Sequence, residues 1–79
     1  ARDIGAIYHA AQAYHTRHSP PQAGADYWEW TITDLLEIAR QHDNDPLMKA
    51  LLTAALDDLE REYKRIKPGE SEPPAPNAV

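Results

Sequence analysis

With no cysteine in the chain, histidines and carboxylates carry most of the candidate chemistry in this 79-residue sequence. Thiolate zinc sites, cysteine nucleophiles and disulfides are excluded outright. His15 and His18 stand three apart, a spacing that can turn two imidazoles toward one zinc ion. His9 points to another side of the same segment and His42 lies in a separate loop, so the ligand set is not completed. His18 is accounted for more simply in a last helical turn, where a histidine satisfies free carbonyls. No metal and no cofactor is expected.

The carboxylates invite a second chemistry, metal-dependent hydrolysis of nucleotides by paired acids. Asp34 and Glu37 are three apart, as are Asp57 and Glu60. Asp57, Glu60 and Lys64 fall opposite an apolar stripe, which is the pattern of a solvated helix face. Asp57 with Arg61, and Glu60 with Lys64, are acid-before-base pairs at i, i+4, each contributing about 0.2–0.5 kcal/mol. Asp43-Asn44-Asp45 is a fragment of a calcium loop without its glycine or its bidentate glutamate. No nucleophile stands with a histidine and a carboxylate in a usable order, so the chain reads as non-catalytic. A small metal-dependent hydrolase is the least favoured reading.

Two tryptophans raise a different possibility. On a helix Trp28 and Trp30 point roughly 200° apart. Trp28 shares a side with Ile32 and Leu35, whereas Trp30 shares one with Asp34 and Glu37. One helix–helix contact cannot bury both. Either the helix starts after Trp30, or the preceding loop and first helix fold over it, or Trp30 is an exposed anchor for a partner chain. Trp30, Tyr27 and Tyr14 are the aromatic candidates for partner binding.

Three helices must position these groups, at about 3–18, 27–42 and 46–67. In the first, Ile4, Ile7, Tyr8, Ala11, Tyr14 and His15 share one face, behind an Asp3 cap and ahead of a stop at Ser19-Pro20-Pro21. Asp26 with Glu29 matches a capping box for the second, whose apolar stripe is Trp28, Ile32, Leu35, Leu36 and Ala39. Asp45-Pro46 marks the third: a capping aspartate before a proline at the first helical position. Met48, Leu51, Leu52, Ala55, Leu56, Leu59, Tyr63 and Ile66 hold its period for five turns. The short Asp43-Asn44 connection requires the second and third helices to form an antiparallel hairpin. The fold class is all-α: a three-helix unit over residues 1–67, then a disordered or extended Pro-rich tail or linker over 68–79. Pro73-Pro74-Ala75-Pro76 has a P-x-x-P spacing without a flanking arginine, a weak docking signal.

Thirteen acidic against eight basic residues give a net charge of −5, a field that repels a phosphate backbone and argues against nucleic-acid partners. No apolar run approaches a membrane span, so no membrane role is expected. The lack of cysteine fits a reducing, cytoplasmic setting. Ala1-Arg2-Asp3 suits either loss of an initiator methionine or excision from a longer protein.

A domain this small offsets its chain entropy narrowly, and neither a disulfide nor a metal assists it. Association is the remaining source of stability. A two-helix hairpin would also leave Leu36, Leu56 and Trp30 needing cover. The leading expectation is therefore a helical protein–protein interaction module that binds another protein or its own copy as a dimer. A different reading is an acidic inhibitor or adaptor of the mobile-element type. It would occupy a basic site on a larger machine through Asp57, Asp58, Glu60 and Glu62, with an affinity that falls as salt rises.

Overall fold

The computed structural model describes residues 2–66, and its order is α1 (Ile4–Arg17), α2 (Ala25–Gln41) and α3 (Pro46–Ile66). No strand occurs among the described residues. The all-α architecture expected from the periodicity is the one observed. The Pro-rich segment 68–79 lies outside the described residues.

Capping explains two of the three helix starts. The Asp3 carboxylate accepts from the Ala6 N–H at 3.0 Å and opens α1. The Asp45 carboxylate accepts from the Leu47 N–H at 2.8 Å and more weakly from that of Met48 at 3.4 Å, and Pro46 follows at the first position of α3. The capping box expected at Asp26 and Glu29 is not formed. Gly24 caps α2 without a side-chain bond, at a positive φ of 112° that glycine adopts at little cost, and the helix begins at Ala25. Asp26 sits within the first turn, where its charge favours the helix dipole.

Between α2 and α3 the chain reverses through Asp43 and Asn44, both left-handed at φ 57° and 54°. These residue types tolerate that region better than most, and the Asn44 N–H returns to the Ala39 carbonyl at 2.7 Å. The Arg2 guanidinium donates to the Asp45 carboxylate at 2.7 Å, tying the start of α1 to the start of α3. Further along, His15 meets Asp58 at 2.8 Å. Both pairs are separated by 43 positions, so α1 and α3 run parallel and in constant register, with α2 antiparallel to both.

The closest packing is between α1 and α3. The sequence reading instead centred the core on the α2–α3 hairpin, with α1 alongside. Ile7 and Tyr14 of α1, Ile38 and Ala39 of α2, and Met48, Leu52 and Ala55 of α3 form one buried cluster. Leu59 is buried as well. Each large apolar side chain here contributes about 1.5–3 kcal/mol through burial.

The stripe assigned to α2 is corrected by roughly a fifth of a turn. The buried positions are Tyr27, Thr31, Ile38 and Ala39, while Ile32 and Leu36 face outward at 43% and 62% exposure. Trp28 and Leu35 are half-buried. The rotation has a cause: Tyr14 donates its hydroxyl proton to the Thr31 carbonyl at 2.9 Å, and Tyr27 donates its own to the carbonyl of His18. These bonds pin the inner side of α2 to the end of α1.

Candidate functional site

His18 closes α1, and its side chain turns inward rather than toward the free carbonyls of the last turn. Nε2 lies 2.7 Å from the Asp34 carboxylate, and Nδ1 lies 3.0 Å from the Thr31 hydroxyl. The Thr31 hydroxyl also donates to the Tyr27 carbonyl at 2.8 Å. Both ring nitrogens are therefore partnered. Arg17 donates to the same Asp34 carboxylate at 2.7 Å from the solvent side.

Partial burial raises the pKa of the Asp34 carboxyl, but the hydrogen bonds and charges of His18 and Arg17 outweigh it and hold the group below its usual range. Burial pushes the phenols of Tyr14 and Tyr27 upward, against a smaller opposing effect from the Thr31 hydrogen bond at Tyr27. Both phenols remain hydroxyl donors. Aromatic rings enclose the imidazole: Tyr14 at 4.7 Å and Trp30 at 3.8 Å between centroids, with Tyr27 edge-on at 6.3 Å.

A hydroxyl, an imidazole and a carboxylate in series are the constituents of an acyl-transfer triad. Here they are arranged for structure. Thr31 and the His18 side chain are inaccessible to solvent, the hydroxyl proton is committed to a carbonyl, and no substrate atom could approach Oγ1. Among the described residues no buried side-chain nitrogen or oxygen lacks a partner. His15 and His18 diverge to different carboxylates, Asp58 and Asp34, and do not share a metal position.

The partner-binding candidates separate into three groups. Tyr14 and Tyr27 are buried, and their surfaces are spent within the fold. Trp30 is neither buried under the loop nor free: its ring packs at a 43° tilt against His18, and 47% of its surface stays exposed. Asp57 and Glu60 face solvent on α3, Glu62 is half-buried, and Asp58 is occupied by His15. Arg61 and Lys64 are exposed among these acids, so the α3 face carries charges of both signs.

Two residues of the expected apolar stripe, Ile32 and Leu36, lie instead on the outer side of α2, and Leu36 is uncovered as the hairpin arrangement implied. Ile32 and Leu36 form one ridge of this helix, bounded by Glu29 and Thr33 on the next ridge and by Arg40 one turn further on. Trp28 lies beside it, edge-on to Tyr63 of α3 at 5.8 Å. Leu56 of α3 is half-buried. Among the described residues no helix is long and apolar enough to cross a membrane. No protein-family model, no curated protein and no solved structure matches this chain.

Proposed function

We propose that this chain is a non-catalytic helical module that acts by binding protein through the outer side of α2. The observation that carries the reading is the exposure of Ile32 and Leu36 on a well-formed helix whose opposite side already fills the core. Single exposed leucines are ordinary, but two at i, i+4 beside a half-buried tryptophan present a continuous apolar strip that water solvates poorly. The groups with the greatest chemical potential, His18, Asp34 and Thr31, are consumed in holding α2 at the angle that turns this strip outward.

An acidic adaptor role through Asp57, Asp58, Glu60 and Glu62 has less support. A strongly salt-dependent site needs a field of one sign, and here Arg61 and Lys64 intervene while Asp58 is engaged by His15. The test is affinity purification from the native source with the wild type, Leu36→Asp, and a charge-reversed Asp57→Lys/Glu60→Lys chain. The module reading expects partners to be lost with Leu36→Asp alone, while circular dichroism shows an unchanged helix content. Loss confined to the α3 variant would transfer the function to the acidic face.

A further inference from the structure

We infer that the outer face of α2 pairs with the same face of a second copy, antiparallel about a two-fold axis near Asp34. The inference rests on the module reading and names its partner. It comes from the order of residue types along this face, which is complementary to its own reverse. Reading outward from the axis, Ile32 and Leu36 lie two residues to either side of position 34, and Glu29 and Arg40 lie five and six residues to either side. When two such helices cross antiparallel, Ile32 meets Leu36 of the second copy and Glu29 meets Arg40. The two-fold repeats each contact once. An isologous interface demands that kind of self-complementarity, since one patch must serve as both surfaces.

The exposures agree with this arrangement. Leu36, at its centre, is the most exposed large apolar side chain of α2 at 62%, and Ile32 is 43% exposed. Thr33, small enough to admit close approach of two backbones, is exposed on the same side. The Arg40 side chain is 70% exposed, and its present partner is Glu37, one turn back on its own helix. An exposed pair of that kind is held weakly, so the guanidinium can be shared with an acid across an interface. Charges of the same sign at positions 29 and 40 would place like charges in contact at both ends of the crossing.

The interface is small, which sets the expected affinity on the order of tens of micromolar. Sedimentation equilibrium of the full chain from about 5 µM to about 500 µM at low salt reads it directly. Two single charge reversals, Glu29→Arg and Arg40→Glu, then test the register. Each alone puts like charges at both ends and weakens the dimer about tenfold. Mixed in equal amounts, they restore opposite charges at both ends, and the mixture dimerises with near wild-type affinity as a heterodimer. Both sites are exposed, so unchanged melting temperatures of the diluted variants are the control for folding. A wild-type chain that stays monomeric across the range overturns the inference. So does a mixture no tighter than its components, or reversals without effect. A monomer would leave the module reading to be decided by partners from the source, because the two-fold concerns only the second copy.

Discussion

Replacing Thr31 with valine tests the His18 network at its least accessible bond. Valine keeps the β-branched shape and helical rotamer of threonine, so the substitution removes a hydroxyl and little else. Two bonds disappear. Loss of the bond to the Tyr27 carbonyl is inexpensive, since that carbonyl lies inside α2 and retains its helical partner. Loss of the bond at 3.0 Å to His18 Nδ1 is not, because the ring is inaccessible to water and Nδ1 has no other hydrogen-bond partner. Leaving such a group unsatisfied costs about 1–3 kcal/mol, and the extra methyl returns a fraction of this. For a domain of this size the net loss lowers the melting temperature by roughly 4–8 °C per kcal/mol. Thr31→Ser, which keeps the hydroxyl and removes a methyl, should be milder. Thermal and urea unfolding followed by circular dichroism read both. A valine variant as stable as the wild type would mean that Thr31 does not satisfy His18, and the argument for a strut at this point would fail.

Two further outcomes follow from the same geometry. Asp34 titrates below its unfolded value of about 3.9. Its contribution to stability is therefore complete above that value and is lost as the pH falls through the lower, folded one. The wild type should lose stability below about pH 4 more steeply than Asp34→Asn, and equal acid limbs in urea titrations would refute this. Asn44→Gly should leave stability unchanged or raise it by up to about 1 kcal/mol, whereas Asn44→Val should lower it, because the position is left-handed at φ 54°. A glycine variant that melts earlier would show that the Asn44 side chain matters more than its backbone.

The helices were legible in the sequence wherever a local rule acts alone. Asp45-Pro46 and Asp3 cap as their residue types demand, and α3 keeps a strict period because a single face of it is buried. The orientation of α2 was not legible, and the reason is physical. Its apolar residues span a wider arc than one contact can cover, so periodicity admits more than one inward direction. The choice is made by polar atoms: Tyr14 and Tyr27 anchoring to carbonyls, and Thr31 and Asp34 receiving His18. A signal for this did exist. Tyr27, Thr31 and Asp34 stand at helical spacing on one side, as do Tyr14 and His18. Of these only Tyr14 falls on an apolar face by pattern, and only their joint placement marks a buried polar seam. The same rotation exposed Ile32, set by the apolar pattern on the inward stripe, together with Leu36, which that stripe left needing cover.

The claim that most of the account depends on is that the outer side of α2 contacts protein. A photoreactive phenylalanine analogue at position 36, expressed in the full chain in its native source and irradiated there, examines it directly. The same analogue at exposed Gln12 of α1 serves as the control surface. The account predicts protein adducts from position 36, including adducts of the chain with itself, and few from position 12. Equal yields from the two positions, or no protein adduct from position 36, would contradict it.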